Sequence, residues 1–193
     1  MINFITVLVA LIIGVFNMSL SNNPQQNIQT VKQAASAIFA GRPNQQVLVD
    51  LCTAQAILES NLGGTPSKLA SEYNNLFGIK GKGTAGSVNL ETEEYVEGQS
   101  EHLPQEFAYN TTLADSIVQY KNLLENGTED NPERYHPVLD ADTFEEAAQA
   151  LVKGGYATDP TYVKQLINIY DEYLASNDSS NDSSNDSSDD LES

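Results

Sequence analysis

The apolar residues fall into stretches whose spacing changes along the chain. Phe4 to Phe16 is apolar apart from Thr6, and the run reaches Leu20 with only Asn17 and Ser19 as polar breaks. Ser21 to Gln26 is polar and predicts a linker over 21–27. Ile28, Val31, Ala35, Ile38 and Phe39 then recur at helical spacing until Gly41 and Pro43 stop the pattern. A second helix is predicted from Gln45 to Ser60, ended by Gly63-Gly64, with a short helical turn over Pro66 to Glu72.

The texture changes from Asn74 to Phe107. Glycines between Gly78 and Gly86 separate short β-prone pieces, Leu76 to Ile79 and Ser87 to Val96, which predicts an irregular hairpin lobe. Helical spacing returns with Leu113, Ile117, Tyr120 and Leu124, capped by Thr112 with Asp115. Thr143 with Glu146 starts another helix that runs to Lys153 and is closed by Gly154-Gly155. Asp159-Pro160 opens the last helix, with Val163, Leu166, Ile167, Tyr170 and Leu174 facing inward. Helices, a small β lobe, then helices again describe an α+β domain, mainly helical, over 28–175.

Beyond residue 175 the chain repeats Asn-Asp-Ser-Ser from Asn177 and has no apolar residue until Leu191. Such a segment (176–193) buries too little surface to offset its ordering entropy and is expected to be disordered. About 150 residues remain for one core, enough for a single domain.

Charge narrows the partners. The net charge is −18; six acids lie in the tail, which leaves −12 for the rest. A nucleic-acid partner is excluded, because binding phosphate backbones requires clustered Lys and Arg. The single cysteine, Cys52, cannot form an intrachain disulfide. The apolar N-terminus (1–20) lacks the basic residues and small-residue cleavage site of a signal peptide. It is read as a membrane anchor, with a removed signal and secretion as the alternative.

The second helix carries the candidate chemistry. At 100° per residue, Val47, Leu48, Leu51, Cys52, Ala54, Gln55 and Leu58 share one arc, and Glu59 falls about 20° from Leu48. An ionisable group is thereby aimed toward the core side at the end of a helix. Desolvation there raises a carboxyl pKa, as a general acid requires near neutral pH. The competing reading turns Glu59 to solvent or pairs it with a lysine.

Residues 54–80 add a specific pattern: Ala54-Gln55-Ala56, Glu59-Ser60, Gly63, Leu69-Ala70 and Asn74-Asn75-Leu76-Phe77-Gly78-Ile79-Lys80. Two further blocks follow in order, Thr92-Glu93-Glu94-Tyr95-Val96-Glu97-Gly98 and Gly155-Tyr156-Ala157-Thr158-Asp159-Pro160 with Tyr162. Together these resemble glycoside hydrolase family 73, the peptidoglycan N-acetylglucosaminidases. The resemblance implies a lysozyme-like fold in which a helical body and a β-hairpin lobe flank a sugar-binding cleft. It implies Glu59 as general acid and Glu94 as the second acidic residue, activating water or stabilising an oxocarbenium-like transition state. Glu97 is the rival if the register slips by one residue, since alternation puts Glu93 on the opposite face. Tyr156, Tyr162, Asn74, Asn75 and Phe77 are implied as substrate-binding residues.

The implied substrate is the peptidoglycan glycan strand, cut by a monomer that uses neither metal nor organic cofactor. The implied location is a membrane with the domain on the cell-wall side, or a virion membrane. This chain departs from the family pattern at Leu62, where Trp is frequent, and at Ala108, where Arg is common; both departures bear on sugar affinity.

Other candidates are weaker. Cys52 with His102 or His136 suggests a thiol amidase, but Cys52 sits mid-helix rather than at a helix N-terminus. The two histidines have no partner spacing for a metal, and the glycines at 78–86 lack the Lys-Ser/Thr of a phosphate loop. A muramidase, a lytic transglycosylase or a non-catalytic wall-binding module are the rival functions.

Because the Asn-Asp-Ser-Ser tail has almost nothing to pack, truncation after Ser176 is expected to leave melting temperature and specific activity nearly unchanged. A large loss of either in a thermal melt or a peptidoglycan digestion assay would show that the tail docks on the body.

Overall fold

The computed structural model describes residues 19–96 and 99–175. The anchor reading (1–20) falls almost wholly outside them, as do Glu97 and the Asn-Asp-Ser-Ser tail. Among the described residues no helix is long and apolar enough to cross a membrane.

The elements in order are α1 (Pro24–Ile38), α2 (Gln45–Ser60), α3 (Lys68–Tyr73), β1 (Gly86–Val96), β2 (Gln99–Tyr109), α4 (Leu113–Asn126), α5 (His136–Leu139), α6 (Phe144–Lys153) and α7 (Tyr162–Tyr173). Helix α2 is the axis of the body and packs against α1, α6 and α7, while α4 closes against α1. It is buried without interruption from Leu48 to Ile57. The apolar arc drawn for α2 is therefore only part of its buried surface, and the expectation that Glu59 faces the core is corrected: Glu59 is exposed to solvent at the end of the helix.

Polar groups buried along α2 are all tied to neighbours. Asp50 accepts from Gln46 Nε2 at 2.9 Å and pairs with Lys32 of α1 at 3.4 Å. Thr53 Oγ1 donates to the Val49 carbonyl at 2.7 Å, the back-bond that relieves a hydroxyl inside a helix.

Local signals account for most of the boundaries. Thr112 with Asp115 and Thr143 with Glu146 both form capping boxes. Helix α1 begins inside the segment read as a linker, because Asn23 accepts from the Gln26 N–H and Pro24 fits the first turn. Helix α2 spans Gln45–Ser60 as expected, but Asn61 rather than the glycine pair closes it. Asn61 takes the left-handed conformation, φ 53°, and its N–H bonds to the Ile57 carbonyl. Leu76–Ile79 is not a strand; the chain bends at Leu76 and Phe77, Gly78 takes φ 63°, and a single bridge joins Lys80 to Phe107.

Strands β1 and β2 form one antiparallel hairpin, in register from Gly86 opposite Tyr109 to Val96 opposite Gln99. A two-stranded ribbon is marginal alone, and this one is fastened at its base. The Ala108 N–H donates to the Ile79 carbonyl and the Gly81 N–H to the Glu106 carbonyl, both at 2.9 Å. Asn110, fully buried, accepts from the Thr84 N–H at 3.2 Å and donates to the Asn74 carbonyl at 3.3 Å and to Gln119 Oε1 at 3.2 Å. Gly83 lies so close that a Cβ there would sit 2.4 Å from the Tyr109 carbonyl oxygen.

Asn110→Ala leaves buried partners without bonds, a loss of about 1–3 kcal/mol. Denaturant unfolding should show that loss, and hydrogen exchange should speed up across 80–111 while α2 stays protected. Equal acceleration in α2 and the hairpin would contradict the fastening role.

Candidate active site

Glu59 occupies the last turn of α2, where two features disfavour its negative charge. The helix C-terminus presents the negative end of the backbone dipole, and no basic residue lies in that turn. Solvent reaches the side chain along one side, yet protein atoms crowd the carboxyl on the side of α7. That burial pushes the Glu59 pKa above the ordinary glutamate value, and a hydrogen bond from Tyr162 draws it partly back. The Tyr162 hydroxyl donates to Glu59 Oε1 at 2.6 Å. Among the described residues no lysine or arginine pairs with Glu59, so the charged form has no counter-ion to favour it.

Behind Tyr162 the hydrogen bonds continue into the core. Gln55 Nε2 donates to the Tyr162 hydroxyl oxygen at 3.2 Å, and the Tyr120 hydroxyl donates to Gln55 Oε1. Gln55 and Tyr120 are both fully buried. Burial and the nearby Glu59 carboxylate push the Tyr162 pKa far up, so it remains a donor.

The Gly154-Gly155 turn, with Gly155 at φ 84°, delivers Tyr156 beside this group. Its ring lies 6.2 Å from that of Tyr162 and 6.4 Å from that of Tyr135, and its hydroxyl donates to the Phe77 carbonyl at 3.2 Å. Burial raises the Tyr156 pKa well above normal, with Tyr162 and Glu59 adding to the effect. The structure thus brings Glu59, Tyr156 and Tyr162 together.

Asn74, Asn75 and Phe77 lie alongside as supports. Asn75 is 1% exposed, and its amide donates to the carbonyls of Ile79 at 2.9 Å and Ala108 at 3.0 Å while accepting from the Ile79 N–H at 3.0 Å. Asn74, at φ 49°, donates to the carbonyls of Asn110 and Thr111. Phe77 is 4% exposed and stacks on Tyr120 with ring centroids 4.5 Å apart. These side chains shape the floor and join it to the hairpin. Ser60 completes that floor by donating to the Leu76 carbonyl at 2.7 Å.

Glu94 lies in β1 opposite Glu101, and Glu93 lies opposite His102. The backbone therefore places Glu93 and Glu94 on opposite faces of the ribbon, as alternation requires. Leu62 and Ala108, the two departures from the family pattern, are both fully buried, so neither offers a sugar-facing platform or charge.

Other chemistry recedes on geometry. Cys52 is fully buried, and burial pushes its thiol well above the normal range, which leaves no thiolate for an amidase. His136 Nε2 is 2.9 Å from the Glu125 carbonyl oxygen. No group of three metal-ligating side chains occurs among the described residues. A concavity of about 540 Å³ lined by Asn131, Arg134, Glu146, Gln149 and Lys153 includes none of the sequence-predicted residues. Its one carboxylate, Glu146, already accepts from the Asp142 and Thr143 N–H groups.

The sequence pattern singled out Glu59, Tyr156 and Tyr162 but gave Tyr120 no part in the site. The available signal was Gln55: an amide inside an apolar arc demands buried partners.

Comparison with known proteins agrees with this geometry. The family model described as mannosyl-glycoprotein endo-beta-N-acetylglucosaminidase matches residues 35–175. Exo-glucosaminidase LytG of Bacillus subtilis is 40% identical over 127 residues, covering 66% of this chain and 44% of its own length. Peptidoglycan hydrolase FlgJ of Escherichia coli is 35% identical over 138 residues, covering 66% of this chain and 41% of its own. The chain thus spans less than half of either curated relative. Among solved structures, the catalytic domain of the autolysin Auto from Listeria monocytogenes superposes with a TM-score of 0.67 at 26% identity, covering 90% of this chain and 96% of that one. A C-terminally truncated glycoside hydrolase domain of FlgJ from Salmonella typhimurium gives 0.53 at 28% identity, covering 77% of this chain and 96% of that one. The fold is lysozyme-like, and the chain belongs to the mannosyl-glycoprotein endo-beta-N-acetylglucosaminidase family, glycoside hydrolase family 73.

Proposed function

We propose that this protein is a peptidoglycan hydrolase, cutting β-1,4 bonds of the glycan strand as an endo-β-N-acetylglucosaminidase. The observation that carries the proposal is the environment of Glu59: a carboxyl without a cationic partner among the described residues, held by Tyr162 and with its pKa raised by partial burial. Protonating a glycosidic oxygen requires such an acid. Family membership and the names of the relatives, a glucosaminidase and peptidoglycan hydrolases, support the polymer and the bond.

In the reaction Glu59 donates its proton to the departing oxygen as the bond to the anomeric carbon breaks. Tyr162 holds the acid from within the body, and half-buried Tyr156 borders it on the side where the sugar would lie. Asn74, Asn75 and Phe77 hold the chain beneath it in place. Glu94, carried on the hairpin, activates water or stabilises positive charge on the ring. No cofactor enters these steps. The apolar N-terminal segment holds the domain at a membrane facing the wall, of either a bacterium or a virion.

A second reading, cleavage of the alternate bond, is favoured by one comparison: a protein of Lactococcus lactis named a probable N-acetylmuramidase is 35% identical over 122 residues, covering 62% of this chain and 28% of its own length. Mass spectrometry of reduced digestion products separates the two. N-acetylglucosamine at the new reducing ends supports the proposal; N-acetylmuramic acid or an anhydro sugar there overturns the bond assignment.

The two glutamates should fail differently. Glu59→Gln is nearly isosteric but has no acidic proton, so it should fold normally and lose roughly 10²–10⁴-fold or more in turnover on purified peptidoglycan. Glu94→Gln should stay measurably active, with the loss mainly in kcat, because neighbouring acids or the substrate's acetamido group substitute in part. A folded Glu59→Gln enzyme with near-wild-type turnover would falsify the assignment.

The pH profile gives an independent check. Glu59 works protonated, so kcat/KM should fall as pH rises through its pKa, and burial places that limb above the ordinary glutamate range. An alkaline limb at the ordinary glutamate value contradicts the role.

A further inference from the structure

Three bonds run in series from the core to the acid. The Tyr120 hydroxyl meets Gln55 Oε1, Gln55 Nε2 meets the Tyr162 hydroxyl, and the Tyr162 hydroxyl meets Glu59 Oε1. The partners stand 65, 107 and 103 residues apart in sequence and come from α4, α2 and α7. An amide can face either way, and the direction chosen here fixes every hydrogen in the series.

We infer that Tyr120 is a positioning residue for the acid: it orients the Gln55 amide so that Tyr162 must donate to Glu59 Oε1, which leaves the acid's proton on Oε2. This rests on the reading of Glu59 as the general acid.

Tyr120 is fully buried, and its hydroxyl has no hydrogen-bond acceptor other than Gln55 among the described residues. A buried hydroxyl without an acceptor is costly, so Gln55 Oε1 faces Tyr120. Gln55 Nε2 then faces Tyr162 and donates to its oxygen. With that lone pair engaged, the hydrogen of Tyr162 points to Glu59 Oε1. A carboxyl oxygen that accepts so short a bond does not carry the proton, and Oε2 makes no hydrogen bond among the described residues.

The reversed amide gives the opposite result. Gln55 Oε1 would accept from Tyr162, and a protonated Glu59 would donate through Oε1 to the tyrosine oxygen, away from the substrate. Tyr120 excludes that arrangement because reversal strands its own hydrogen. Among the described residues the titratable groups facing Glu59 are Tyr162 from α7 and Tyr156 from the loop before it, and both stay protonated.

The test is the pH dependence of kcat and KM on purified peptidoglycan, using the full chain. Tyr120→Phe removes one oxygen from a buried ring and should keep the wild-type circular dichroism spectrum. With the amide free to reverse, plateau kcat should fall roughly 2- to 10-fold, the size of one hydrogen bond, with KM nearly unchanged. The alkaline limb should move to higher pH, because the reversed network binds the proton of Glu59 more tightly. Gln55→Met cannot reverse the series, but it removes the N–H that polarises the Tyr162 hydroxyl as a donor to Glu59. The limb should again move to higher pH, so the idea stays testable if Tyr120→Phe folds poorly. In one series the effects overlap: the double variant should shift the limb no further than Gln55→Met alone.

A folded Tyr120→Phe enzyme that loses thermal stability but keeps the wild-type limb and kcat would reduce Tyr120 to packing and overturn the inference. Failure of the underlying reading looks different. In that case Glu59→Gln is active, whereas an inactive Glu59→Gln beside an unmoved limb rejects only the positioning role.

Discussion

The structure depends on enclosing α2. Ten consecutive residues, Leu48 to Ile57, are buried on all sides by α1, α6, α7 and their neighbours. A helix enclosed in this way cannot keep a polar side chain unless another element supplies its partner. Asp50 takes Lys32 from α1, and Gln55 takes Tyr120 from α4 and Tyr162 from α7. The requirement that stabilises the core thus also draws α4 and α7 into one hydrogen-bonded line ending at Glu59. The geometry of the candidate site follows from polar satisfaction within the core.

The same enclosure explains why the acid sits where it does. One turn deeper on α2, a carboxyl would be sealed from substrate; one turn further on, it would be fully hydrated and ordinary. At the last turn it meets solvent on one side and protein on the other, so its charge is disfavoured while its proton stays deliverable. The left-handed Asn61 ends the helix at that point, and the Ser67 N–H bonding the Ser60 carbonyl at 2.9 Å folds the following loop back. The hairpin is held independently, through Asn74, Asn75 and Asn110, so the lobe carrying Glu94 is hinged on side-chain amides and short backbone contacts rather than on a second core.

What could be read from the sequence divides along the range of the interactions. The capping boxes at Thr112 and Thr143 are contained within four residues, and they set both helix starts as expected. The hairpin followed from β-prone residues after a glycine cluster, although Leu76 to Ile79 proved to be a bent segment whose backbone groups are met mostly by the side chains of Ser60, Asn75, Ser116 and Tyr156. The end of α2 at Ser60 matched the sequence expectation, although the left-handed Asn61, rather than the glycine pair, is what closes the helix. Periodicity pointed at Glu59 but for an incomplete reason: a helix buried on all faces has no preferred arc. Tyr120 was read as core, correctly, yet its contact with Gln55 spans 65 residues and no local pattern encodes it. Family resemblance reached Glu59, Tyr156 and Tyr162 where spacing alone could not.

The proposed role of Glu59 requires that the carboxyl at the end of α2 titrate above the ordinary glutamate value in the folded protein. A carbon-13 NMR titration of the Glu59 carboxyl measures this directly, without substrate and without mutation. A midpoint clearly above the ordinary glutamate value of about 4.3, coinciding with the alkaline limb of peptidoglycan cleavage, is the predicted result. A midpoint at or below that value would contradict it, because an ionised Glu59 has no proton to give.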